Sequence, residues 1–227
     1  MKKMLVIIFI LLIIFIGIYI NKKNIGNETV TATEVNNIEE YISKIYMWQE
    51  ITEEALPKFN NINDAPDLWL WEVVKKNLDD YEVSYDEIEQ KAKEIFGEEF
   101  TKQFPKEGTE YIQYNEELKK YVATGVWLDT LDDSFFIKQI TKTKNGYEVE
   151  IAEYLEDYEN SMNIEDENQV YDIYIKDLNH NIIATIKSND GETKSIEVVK
   201  ENIDKFTTKK IILEKDKNEN LYVRQVG

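Results

Sequence analysis

The sequence contains no cysteine, one histidine, three prolines and eight glycines among its 227 residues. Without cysteine there is no disulfide framework, thiol nucleophile, thiolate zinc site or lipoprotein processing. A lone histidine, His180 in "LNHN", lacks the imidazole partners that metal or acid–base chemistry normally needs, and it reads as a solvated turn residue. So few glycines leave little room for phosphate-cradling loops, and no GxGxxG, P-loop, HExxH or GxSxG occurs. Basic charge is scarce as well. Four of the 27 basic residues, Lys2, Lys3, Lys22 and Lys23, flank one apolar run. The 45 acids beyond that run face the other 23, so residues 24–227 carry a formal charge of −22. That field repels nucleic acid and anionic headgroups, and suits a basic protein or peptide partner.

The apolar run is what the sequence has in quantity. Met4–Ile20 is uncharged, and 14 of its 17 residues are Leu, Ile, Val or Phe. As a helix it spans ~25 Å, enough to insert with slight thinning of a ~30 Å hydrocarbon core. A secretory signal would be shorter and closely followed by a small-x-small site. The nearest such site is Val30-Thr31-Ala32, well beyond Ile20. The run therefore reads as an uncleaved transmembrane anchor (1–23), with a polar tether (24–36) and an extracytoplasmic domain (37–227) after it. The short basic N-terminus ahead of a large domain places the N-terminus in the cytoplasm of a single-pass membrane protein. Heavy use of Ile, Lys, Asn, Glu and Tyr reads as bacterial.

Periodicity predicts about three helices. The first starts near Asn37, carries Ile38, Tyr41, Ile42, Ile45, Trp48, Ala55 and Leu56 at helical spacing, and ends at Pro57. Pro66 opens the second, in which Trp69 and Trp71 point to nearly opposite sides, one into the core and one half-exposed. Ser84 and Glu87 form a capping box for the third, Tyr85–Phe96, with Gly97 beyond its end. Thereafter the period shortens. Strands are expected near Tyr111–Tyr114, Tyr121–Thr124, Phe135–Lys144, Tyr147–Leu155, Tyr171–Asp177, Ile182–Ser188, Lys209–Glu214 and Leu221–Val226. Asn145-Gly146, "KDLNHN" and "KDKNEN" read as hairpin tips, the first because both residues tolerate φ > 0. Ser195–Phe206 suits either a helix or a strand.

The fold class is thus α+β: an N-terminal transmembrane helix, then about three helices packed on a curved antiparallel sheet. The helical stretch Asn37–Gly97, the "KNG" hairpin and the closing "KIILEKDKNENLYVRQV" hairpin resemble the NTF2-like (cystatin-like) group. That resemblance implies helices closing the concave side of a bent sheet over residues 37–227. It transfers no activity, because the group spans enzymes, binding modules and secretion-apparatus subunits.

Chemistry-bearing candidates are few. A pocket between helices and sheet would be lined by aromatics, with Trp48, Trp69 and Trp127 as candidates, each also suited to plain core. The acid pairs Asp79-Asp80, Glu98-Glu99, Asp132-Asp133 and Glu165-Asp166-Glu167 carry little information among 45 acids. "DKNEN" spaces Asp216, Asn218 and Asn220 like the start of a calcium loop, but lacks the following glycine and the bidentate glutamate. No catalytic residue, metal site or cofactor is expected. The sequence leads to a membrane-anchored binding or assembly module of the cell envelope. An immunity-type protein that binds a basic toxin and a cell-wall-directed enzyme using the helix–sheet pocket are the alternatives.

Overall fold

The computed structural model describes residues 29–47, 54–78, 82–104, 108, 112–123, 132–159, 171–188 and 191–227. The apolar run, Trp48 and Trp127, and the pairs Asp79-Asp80 and Glu165-Asp166-Glu167 lie outside these residues. No helix among the described residues is long and apolar enough to cross a membrane.

The described chain is α+β, with four α-helices rather than three and two antiparallel sheets rather than one. Helix α1 (Ala32–Ile45) begins inside the stretch expected to be tether, because Thr31 and Glu34 form a reciprocal capping box. It buries Ile38, Tyr41, Ile42 and Ile45, and it ends well before Pro57. Beyond it the chain turns back: the Met47 N–H bonds the Ala55 carbonyl (3.2 Å) and the Trp69 indole N–H bonds the same oxygen (3.0 Å). Tertiary hydrogen bonds here outweigh helical propensity.

Helix α2 (Asp67–Lys76) buries both tryptophans, contrary to the half-exposed reading of one of them. Trp69 packs against Phe59 and Phe96, and Trp71 against Phe104 and Tyr121. The second contact comes from a small sheet that periodicity did not separate from the large one. It consists of β1 (Glu82–Val83), β2 (Ile112–Asn115) and β3 (Lys120–Ala123), with β3 in the middle. A two-residue strand such as β1 has no period to read. Helix α3 (Tyr85–Phe96) has the expected bounds, with both arms of the Ser84–Glu87 capping box present.

The large sheet contains β4 (Asp132–Lys142), β5 (Gly146–Glu159), β6 (Tyr171–Lys176), β7 (Ile182–Ser188), β8 (Thr208–Lys215) and β9 (Leu221–Val226). Its organiser is β5. Residues 147–156 of this strand pair with β4 along one edge. On the other edge, Gly146–Ala152 pair with β8 and Leu155–Glu159 with β6. The sheet therefore forks at residues 153–154, with β8–β9 on one branch and β6–β7 on the other. The ambiguous stretch resolves as helix α4 (Gly191–Glu201) and then a 3₁₀ turn at Ile203–Lys205, which together bridge the branches.

Strand alternation then separates two cores. Tyr147, Val149 and Ile151 of β5 face the core that α1, α2 and α3 cover. Ala152 and Tyr154 face the opposite side, where Ile173, Ile175, Ile186, Val199 and Phe206 form a second core beneath α4.

The hairpin tips fall where the sequence places them, with one revised cause. Neither Asn145 nor Gly146 has positive φ. Gly146 is required for room: a Cβ there would sit 2.8 Å from the Glu214 Cα and closer still to the Leu213 carbonyl oxygen. The two Asp-x-Asn-x-Asn tips are built alike. Asp177 Oδ1 accepts the N–H groups of Asn179 (2.9 Å) and Asn181 (2.8 Å). Asp216 Oδ1 accepts those of Asn218 (2.7 Å) and Asn220 (2.9 Å). These loops turn donors inward, the reverse of what a calcium site needs.

Candidate functional site

A cleft of about 600 Å³ opens at the edge of the larger core. Four segments form it: Glu34 in the first turn of α1, Gly97–Glu99 after α3, the β4–β5 turn at Lys142–Tyr147, and the β8–β9 hairpin around Glu214–Arg224. Its floor depends on Gly97, at φ 89°, where a Cβ would come within 3.0 Å of the Tyr222 ring. Glycine is the residue that meets both demands.

The walls are charged and extensively paired. Glu34 Oε2 accepts the Thr31 N–H (2.8 Å), while Oε1 accepts the Tyr147 hydroxyl (2.7 Å) and pairs with Lys142 (3.0 Å). The Thr31 N–H, then Tyr147 and Lys142, pull the Glu34 carboxyl down to about 2. Burial and the bond to Glu34 push the Tyr147 hydroxyl above its ordinary value. Arg224 holds Glu99 (2.8 Å) and Glu214 (2.9 Å), and Lys215 holds Glu219 (2.6 Å) and lies 5.2 Å from the centre of the Tyr147 ring. Six carboxylates, Glu34, Glu98, Glu99, Glu214, Asp216 and Glu219, line the cleft against four cations. The surplus is acidic.

The tryptophan candidates do not converge on this cleft. Trp69 is fully buried in the helical core, with its N–H on the Ala55 carbonyl; Trp48 and Trp127 fall outside the described residues. Of the acid pairs, Glu98-Glu99 lies in the cleft, and Asp132-Asp133 opens β4. His180 occupies an exposed turn at φ 61°, as its sequence context suggests. Sequence reading missed Glu34, Tyr147, Tyr222 and Arg224, which stand up to 190 residues apart and share no motif. The Thr31–Glu34 capping spacing was the one readable signal among them.

The Glu153 carboxyl has its proton affinity raised, and it is far from solvent. Glu153 is fully buried at the fork of the sheet, where desolvation pushes its carboxyl up against the pull of Lys209 at 3.3 Å. Lys209 also donates to the Leu56 carbonyl (2.6 Å) and lies 3.8 Å from Glu54. A general acid must reach its substrate, and this group is sealed in the interior. Within the cleft, by contrast, Glu34 is held ionised and serves poorly as a proton donor. No group of three or more His, Cys, Asp or Glu among the described residues could hold a metal ion. The arrangement offers paired charges and two tyrosines to a polar ligand.

Comparisons with protein families, with curated proteins and with solved structures return no match.

Proposed function

We propose that this chain is a membrane-anchored binding or assembly module of the bacterial cell envelope, held by residues 4–20 with its folded domain outside. The cleft at the β4–β5 turn is its partner surface. The observation that carries this reading is the position of Thr31. The small-x-small site nearest the apolar run, Val30-Thr31-Ala32, coincides with the start of α1, where the Thr31 hydroxyl accepts the Glu34 N–H (3.2 Å). Cleavage after Ala32 would remove a cap worth about 1 kcal/mol and leave Glu34 with only its Tyr147 and Lys142 contacts. Retention of the N-terminus keeps the cap. An NTF2-like ancestry remains part of this proposal, supported by α1–α3 stacked on one face of an antiparallel sheet.

The acid surplus of the cleft, on a domain of charge −22, favours a basic protein or peptide as the partner. This is also what an immunity-type role against a basic toxin would require. Membrane fractionation with N-terminal sequencing of the native protein tests the anchor: intact Met1 in the membrane pellet supports it, and a soluble chain beginning near residue 33 overturns it. A pull-down from envelope extract at low and high salt tests the partner. A basic partner is released as the Debye length shrinks from ~30 Å at 0.01 M to ~8 Å at 0.15 M. Retention unchanged by salt removes the electrostatic reading.

A further inference from the structure

The Asn145-Gly146 turn that borders the cleft differs from the other two hairpin tips in what holds its side chain. At those tips the amide of Asn181 donates to Asp177 (2.9 Å) and that of Asn220 to Asp216 (3.1 Å). At the helix ends the Asn77 and Asn202 amides donate to the Val73 (2.8 Å) and Val198 (2.9 Å) carbonyls. The Asn145 side chain is exposed, and no group among the described residues accepts from it or donates to it. The peptide unit that follows is equally open. Its carbonyl, that of Asn145, points to β8 and accepts the Lys215 N–H (2.8 Å). A trans peptide sends the Gly146 N–H the opposite way, into the turn, where no carbonyl among the described residues accepts it. Glycine places no side chain over that nitrogen, and this is the one Asn-Gly pair in the sequence.

We propose that Asn145-Gly146 is a self-modification site, at which the folded chain converts residue 145 from an amide to an acid without an enzyme. The Gly146 nitrogen, after losing its proton to hydroxide, attacks the Asn145 Cγ. The N–Cγ bond forms, the Cγ–Nδ2 bond breaks, and Nδ2 leaves as ammonia with a proton from water. The product is a five-membered cyclic imide. Water then opens the ring at either carbonyl, so the net change is ammonia lost for water gained, with no oxidation or reduction. Opening at Cγ restores the backbone and leaves an aspartyl side chain. Opening at the main-chain carbonyl leaves an isoaspartyl linkage, in which the chain runs through the side-chain methylene. That linkage does not fit the present turn. The Asn145 carbonyl, now fixed by the Lys215 N–H, becomes a carboxylate branching off the chain. The lengthened backbone also meets β8 where Gly146 already leaves no space for a Cβ. The new carboxylate enters a cleft wall shared with Lys144 and Lys215, and Lys215 at present holds Glu219 and lies over the Tyr147 ring. The chain thus alters its own cleft with age. This inference rests on the turn alone and stands whatever the cleft binds.

The test uses the full chain in detergent micelles, incubated in mildly alkaline buffer and digested for peptide mapping at intervals. The peptide carrying residue 145 should split into a pair of products of equal mass, both heavier by the exchange of an amide nitrogen for an acid oxygen. A carboxyl methyltransferase specific for isoaspartyl groups should label one of the pair. Conversion should run about tenfold faster than at Asn179 or Asn218, whose following residues carry side chains that crowd the nitrogen. Asn145→Gln should abolish it, because closure would then need a six-membered ring, and should leave the melting temperature near that of the wild type. Hydrogen exchange separates charge from backbone. The Lys215 N–H should lose protection in the isoaspartyl product and keep it in Asn145→Asp, which adds the charge without the methylene. Conversion confined to the urea-unfolded chain overturns the proposal, since the fold then shields the turn. So does an isoaspartyl product with Lys215 protection unchanged, in which case the cleft wall is not rebuilt.

Discussion

The Lys209 ammonium lies 3.3 Å from the Glu153 carboxylate in the dry interior, at the point where β5 exchanges β8 for β6 as its neighbour. A buried ion pair is costly to make, because desolvation absorbs most of the Coulomb gain, but breaking it from one side is worse.

Lys209→Met should therefore destabilise the domain by about 3–5 kcal/mol, since Glu153 is left as an uncompensated buried acid. Adding Glu153→Leu should recover most of that loss. Urea unfolding of the two single variants and the double variant measures the coupling; additive effects would mean that the pair does not act as a unit.

Glu34 gives the fold an acid limb. Its carboxyl is held at about 2 when folded, against about 4.5 in the unfolded chain. Its stabilising contribution is thus full above pH ~4.5 and disappears as the pH falls towards 2. Glu34→Gln should lower the melting temperature at pH 6 and leave it nearly unchanged near pH 2. Melting curves between these limits, for variant and wild type, should converge on the acid side.

Gly146→Ala should cost more than about 2 kcal/mol, because the new methyl meets β8 backbone that cannot move aside. Asn145→Ala should cost less than about 1 kcal/mol, since the turn asks no positive φ of that residue. If the two substitutions cost the same in a denaturant titration, turn conformation rather than close approach is what the glycine serves.

Asp216→Ala and Asp177→Ala should each lower the melting temperature slightly by releasing two loop N–H groups. Millimolar calcium should leave the melting temperature of the wild type unmoved. A calcium-dependent rise lost in Asp216→Ala would restore the calcium-loop reading.

What the sequence made legible was local. A capping box and alternation over short runs set the bounds of α3, β7 and β9, and turn residues set the three hairpin tips. The start of α1 was equally readable in Thr31-x-x-Glu34, but the Asn- and Thr-rich surroundings argued for tether. Everything that depends on distant pairing was hidden. Trp71 is buried because β3 arrives 50 residues later. Helix α1 stops at Ile45 because the Met47 N–H is bound by Ala55, and Lys209 holds the Leu56 carbonyl. The cleft is the extreme case: its lining comes from four segments that meet only in the finished fold.

The fork in the sheet also orders the folding reaction. Hairpins β4–β5, β6–β7 and β8–β9 close across turns of a few residues, on the microsecond scale of isolated hairpins. The β5–β8 pairing, in contrast, must span the whole of β6, β7 and α4. Tyr41 lies further still from its partner: its hydroxyl bonds the Ile95 carbonyl and accepts the N–H of Val223, 182 residues away. Closure entropy makes those contacts the last to be rewarded. The rate-limiting barrier should accordingly sit at the docking of β8 onto β5, leaving Glu153 and Lys209 the final charges to leave water.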